Sequence, residues 1–138
     1  MNNYQGGCLC GAIRYQVKAT PQSVVICHCT HCQRASGSAF SVNLLINTTD
    51  YEQQGETKFY IDHGDSGLES YRHFCPHCGS SIMTQAQNLP NIILVKAGTL
   101  DHHHQAEIKP QLEIYTDHAV QWHSTIAGAT CFHQAPTA

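Results

Sequence analysis

Between residues 27 and 32 the chain reads CHCTHC, placing three cysteines and two histidines in six positions. Two further cysteine pairs flank this segment: Cys8 and Cys10 in GGCLCGAI, and Cys75 and Cys78 in FCPHCGSSI. Seven of the eight cysteines fall into these groups, which makes metal ligation the chemistry to weigh first. The CPHC segment has the spacing of a zinc knuckle: two residues separate the thiols, Pro76 shapes the turn and Gly79 permits a left-handed exit. A knuckle supplies two ligands and a closed structural site needs four. Cys8 and Cys10 are the natural complement, because residues i and i+2 of an extended segment face one side. A metal joining positions so far apart in the chain would offset a large loop-closure entropy.

The trio Cys27, Cys29 and Cys32 is a different case, since closed structural zinc sites use four protein ligands while catalytic ones keep three and an exchangeable position. Three thiolates leave a zinc complex net negative and a weak Lewis acid toward water. Such an ion suits a fourth thiolate better than a hydroxide. A free thiol titrates near about 8.5, so coordination would keep it ionised at neutral pH and able to attack a carbonyl. His28 or His31 could close this site or move a proton, but the plainer expectation for both is a solvated loop ring. Arg34, just beyond the trio, is a candidate for pairing with a ligand carboxylate, and a surface role fits it equally. His77 is expected to fill space within the knuckle, Cys131 to be an inert thiol, and His102, His103 and His104 to lie in a polar turn.

The elements around these residues read as strands. AIRYQV puts Ile13, Tyr15 and Val17 on one face, and FSVNLLI does the same with Phe40, Val42, Leu44 and Ile46. TKFYI, ESYRHF, IILVKAG and LEIYT are further short strands rich in β-branched and aromatic residues. Turn chemistry separates them at Gly6-Gly7, 62–65, 88–91 and Lys109-Pro110. QRASGSA is expected to make one helical turn that Gly37 ends. Phe40, Tyr60 and Trp122 are expected in the core before the wall of a pocket. The pattern predicts a mostly-β single domain over residues 1–138, built of small packed antiparallel sheets.

Bulk composition narrows the function classes. At 138 residues, 41% hydrophobic and 12% charged, the chain is globular in composition. A formal charge of −3 with seven scattered Lys and Arg residues argues against nucleic acid and anionic membrane as partners. No apolar run approaches the roughly 20 residues of a membrane-spanning helix, and the N-terminus does not read as a secretory signal. A cytoplasmic setting, where thiols stay reduced, is the expectation.

Taken in order, GGCLCGAIRY, CHCTHCQRASGSAF, FCPHCGSSI, KAGTLD and IYTDHAVQWH resemble the glutathione-dependent formaldehyde-activating enzyme family, which includes centromere protein V. The resemblance covers about residues 6–122. It implies an all-β fold akin to that of a Rab GTPase accessory factor. It also implies a structural zinc on Cys8, Cys10, Cys75 and Cys78, and a second, substrate-side zinc on Cys27, Cys29 and Cys32 that receives the sulfur of glutathione or another small thiol. The implied activity is that of a carbon–sulfur lyase or synthase joining the thiol to formaldehyde or a related aldehyde. Two other function classes stay open: a binding module whose zinc is all structural, and a redox protein whose trio forms a disulfide. The sequence leaves the oligomeric state open.

Overall fold

The computed structural model describes residues 3–136, among which eleven strands and two short α-helices alternate with 3₁₀ turns. Strands β1 (Tyr4–Gly7), β2 (Arg14–Val17), β3 (Ser23–Cys27), β4 (Ser41–Asn47), β5 (Tyr51–Gln54) and β6 (Lys58–His63) occupy the first half. Strands β7 (Glu69–Phe74), β8 (Ser81–Ala86), β9 (Ile92–Lys96), β10 (Leu112–Ile114) and β11 (Thr130–Cys131) follow, with helices α1 (Thr30–Ser36) and α2 (His102–Gln105) between strands. A three-stranded sheet has the order β1-β2-β5, and an eight-stranded sheet the order β11-β10-β3-β4-β9-β8-β7-β6. The larger sheet is antiparallel except at one end, where β10 runs parallel to both β3 and β11.

Side-chain alternation sorts the larger sheet into two faces. On one face Val24, Leu44, Val95 and Met83 lie in a cross-strand row, with Ile46 and Ile93 beside them. These residues pack with Tyr4, Ile13, Tyr15 and Val17 of the small sheet and its turn to form the core. Leu44, Val17, Val95 and Ile82 are wholly buried there. The expected alternation of Ile13, Tyr15 and Val17 is present, and all three are buried. On β4 the expected core face includes Leu44 and Ile46, while Ser41 and Asn43, on the opposite face, are buried as well.

That second face carries polar groups among apolar ones. Leu112, Val25, Asn43 and Lys96 form one row across β10, β3, β4 and β9. Leu45, Leu94, Thr84, Arg72 and Tyr60 form another across β4, β9, β8, β7 and β6. Ile114 and Cys27 sit opposite each other beyond the first row. The sheet therefore separates a dry core from a face that holds the reactive residues.

Several local expectations change. The helical turn begins earlier than QRASGSA, at Thr30, because Cys29 acts as N-cap; Gly37 ends it in the left-handed conformation at φ 65°, donating to Gln33. Tyr60 and Trp122 lie outside the core, at 66% and 75% exposure. Tyr60 is on the edge strand of the large sheet, and Trp122 is in the turn structure after β10. His102–His104 open α2, and His104 is buried against the Tyr4 ring with Nδ1 3.2 Å from Glu107.

Candidate metal centres

The first thiol cluster is assembled by two turns, one early in the chain and one near its middle. Cys8 and Cys10 occupy the turn between β1 and β2, closed by Gly11 donating to the Cys8 carbonyl at 3.2 Å. Cys75 and Cys78 occupy the turn between β7 and β8, where Gly79 has φ 78° and donates to the Cys75 carbonyl at 2.9 Å. Leu9 N–H reaches Ser80 Oγ at 3.0 Å and holds the two turns together. The Sγ atoms of Cys8 and Cys10 are 3.6 Å apart, and those of Cys10 and Cys75 are 3.8 Å apart. Sulfurs placed about 2.3 Å from a tetrahedral zinc are separated by about 3.8 Å, so the four thiols fit the ion. Ile13 N–H donates to Cys8 Sγ at 3.2 Å and His77 N–H to Cys75 Sγ at 3.4 Å, contacts that favour thiolate sulfur. The Ser80 hydroxyl and amide lead the causes that lower Cys78 to about 5. At Cys10 a bond from the Ala12 amide pulls downward, but crowding by the other thiols and burial carry it up to about 11.

The second cluster is Cys27, Cys29 and Cys32, whose sulfurs lie within 4.8 Å of one another. Cys27 ends β3, Cys29 caps α1 and Cys32 lies in the first turn of that helix. Cys32 N–H donates to Cys29 Sγ at 3.2 Å. Among the described residues no fourth His, Cys, Asp or Glu joins this group, so the three thiols can hold an ion and leave a position free. Bonds with Cys27 and Cys29 hold the Cys32 thiol far below its ordinary value, while Cys29 and Cys32 push Cys27 far above its own. Three thiols that cannot all carry charge without a cation are the electrostatic signature of a metal-binding group.

Two cations that sequence reasoning passed over face this trio. Burial works against the Arg72 guanidinium, but the charge of Cys32 and hydrogen bonding with Asp62 hold it above its ordinary value. Arg72 Nε donates to Asp62 at 2.9 Å, and His31 Nδ1 donates to the same carboxylate at 2.9 Å. Lys96 donates to Asn43 Oδ1 at 2.7 Å; desolvation lowers its ammonium although Cys32 pulls the other way. Both lie within strands that read as framework, so only their sheet register could have exposed them. Arg34, by contrast, is exposed on α1 and borders a surface cleft with His31, Tyr60, Asp62 and Arg72, apart from the chamber against Cys27 and Cys32.

His28 overturns the expectation of a solvated ring. It is fully buried, with Nε2 donating to Glu113 Oε1 at 2.7 Å. His123 Nε2 donates to the same oxygen at 2.7 Å, and Ile126 N–H donates to Glu113 Oε2 at 2.7 Å. The alternation of β3 explains the reversal, since Cys27 faces the reactive side and the next residue must face the other. Nitrogen and oxygen ligands about 2.0–2.1 Å from a tetrahedral zinc are separated by roughly 3.3 Å, so this triad has the geometry of hydrogen bonding. Phe40, half-buried, packs at steep ring angles against both imidazoles at centroid distances of 5.5 and 5.0 Å. His31 is one-third exposed and bound to Asp62, neither a trio ligand nor a free loop ring. His77 is exposed and outside the thiol cluster, and Cys131 is exposed on β11.

No helix of the described residues is long and apolar enough to cross a membrane. No curated protein matches the chain. Among solved structures, a Rhodobacter sphaeroides protein known from its crystal structure is similar with a TM-score of 0.58 and 18% identity, over 93% of this chain and 98% of that one. That likeness concerns the fold. The profile of the glutathione-dependent formaldehyde-activating enzymes matches residues 3–118. That match spans most of the chain, which belongs to the glutathione-dependent formaldehyde-activating enzyme family.

Proposed function

We propose that this chain is a zinc-dependent carbon–sulfur lyase or synthase, acting in the cytoplasm on the adduct of glutathione, or another small thiol, with formaldehyde or a related aldehyde. The observation that carries the reading is the trio itself: three converged thiols, no fourth ligand among the described residues, and open space beside them. In this reading Cys8, Cys10, Cys75 and Cys78 hold a structural zinc, and Cys27, Cys29 and Cys32 hold a second one. The second zinc, when bound, keeps a substrate thiol ionised near neutral pH.

The remaining work falls to side chains. Arg72 and Lys96 offset the negative charge that gathers when thiolates crowd a half-buried site. Asp62 fixes Arg72 and His31 at the rim, where an exposed Arg34 is placed to meet a carboxylate of the thiol. In the synthetic direction a carbon–sulfur bond forms at the aldehyde carbon, and the thiol proton ends on the former carbonyl oxygen. The reverse reaction returns both, with no change of oxidation state.

Zinc per chain on anaerobically purified protein tests the reading, together with calorimetric titration of glutathione. Two zincs, falling to one in Cys29→Ser with the fold retained and thiol binding lost, is the expected result. One zinc in both proteins would overturn the second centre and favour the binding-module or redox readings.

A further inference from the structure

The trio has two unlike surroundings. On the Cys29 side the cleft is bordered by the charged and polar groups of His31, Asp65, Ser66, Asp117 and His118 together with Leu68 and Tyr115. On the side of Cys27 and Cys32 lies a chamber of about 310 Å³, walled by Val25, Leu45, Leu94, Leu112 and Ile114. Cross-strand register puts these apolar residues and Asn43, Lys96 and Thr84 on the same face of the sheet. Thr84 is 4% exposed and its Oγ1 has no hydrogen-bond partner, although it borders this chamber. The volume is at the small end of the roughly 300–1,000 Å³ of ligand pockets, and far more than a one-carbon aldehyde fills.

We infer that this chamber binds the aliphatic body of a carbonyl compound several carbons long, with its oxygen set among Lys96, Asn43 and Thr84. The inference deepens the proposed function, resting on it for the role of the trio: the polar cleft takes the thiol and the apolar chamber takes the carbon chain of the aldehyde. Leucine and isoleucine walls gain nothing from formaldehyde, whereas each methylene placed against them contributes about fourfold in affinity. Lys96 is the one group of this lining whose charge favours oxygen over nitrogen at the ligand's polar end, apart from Arg72, which Asp62 already engages.

Hexanoate is a stable, unreactive probe of such a ligand, and calorimetry reads its binding without any turnover. On zinc-loaded protein it should bind on the order of a hundredfold tighter than acetate, while hexylammonium binds no better than acetate. Lys96→Met should weaken hexanoate about tenfold, and the near-isosteric Thr84→Val should weaken it severalfold with the fold unchanged by circular dichroism. Hexanoate binding equal to that of acetate, or indifferent to both substitutions, would overturn the chamber assignment. The Cys29→Ser protein separates the two readings. Hexanoate binding that survives there beside a loss of one zinc supports both. Two zincs and thiol binding without hexanoate binding would remove the chamber assignment and leave the proposed function standing.

Discussion

His28 Nε2 lies 2.7 Å from Glu113 Oε1, and both side chains are sealed from solvent, at 0% and 1% exposure. This contact ties the segment between two trio cysteines to β10, a strand more than eighty residues later. His28 N–H also donates to the Ile114 carbonyl at 3.0 Å, so backbone and side chain are held together. His123 completes the arrangement from the following turn structure. The reactive thiols therefore rest on a buried polar truss.

Glu113→Ala removes the acceptor of that truss and leaves two imidazoles and the Ile126 amide without it. Leaving buried donors without their acceptor costs about 1–3 kcal/mol each. Urea denaturation should show a loss of that size, and zinc titration should show the second metal weakened more than the first. Unchanged stability would remove the truss from the account of the site.

The two thiol clusters should respond differently to substitution. Cys75→Ser breaks a four-thiol set that joins the β1–β2 turn to the β7–β8 turn, and folding should fail or depend on excess zinc. Cys29→Ser should leave a native circular dichroism spectrum. Equal loss of soluble protein from both variants would count against separate roles.

Asp62 gives a pH prediction. Burial would raise its carboxyl, but hydrogen bonds from Arg72 and His31 outweigh this and hold it below the ordinary value. A lowered carboxylate stabilises the fold above its unfolded pKa of about 3.9, and the contribution is lost as pH falls through the folded value. The stability gap between wild type and Asp62→Asn should thus be full at pH 6 and above (roughly two units clear of the unfolded pKa) and should narrow below about pH 3.9. A gap that widens in acid would contradict the assignment.

Gly6 tests the approach of the two sheets' periphery. A Cβ there would lie 2.3 Å from the Thr99 carbonyl oxygen and 2.4 Å from the Tyr15 hydroxyl. Tyr15 is itself fixed by a 2.7 Å hydrogen bond to Thr99, so neither neighbour yields freely. Gly6→Ala should cost about 1–3 kcal/mol, read as a lowered melting temperature.

Much of this was legible in residue types and spacing. Cysteine spacing anticipated the two thiol clusters, although Cys8 and Cys10 converge through a turn and not through the extended segment expected for CLC. Residue type found β6 and β7, and alternation found β2 and β4. It missed β3, since SVVIC is apolar on both faces, a pattern that alternation does not detect. Glu113 and His123 escaped notice because a lone carboxylate in a short strand and a lone imidazole in a turn carry no local signal. Lys96 and Arg72 were hidden for the same reason: what makes them site residues is which strands lie beside them. Trp122 and Tyr60 were placed inside by their composition, whereas their positions on a turn and an edge strand leave them outside.

The parallel insertion of β10 between β3 and β11 sets an order of assembly during synthesis. Cys8, Cys10, Cys75 and Cys78 are all synthesised before Glu113, so the four-thiol centre can close before the last strands join. Cys27 cannot receive its neighbour Ile114, nor His28 its carboxylate, until the last strands emerge. A stalled or truncated chain would then carry a finished scaffold with an unbraced thiol trio, open to oxidation or to capture by the wrong ion.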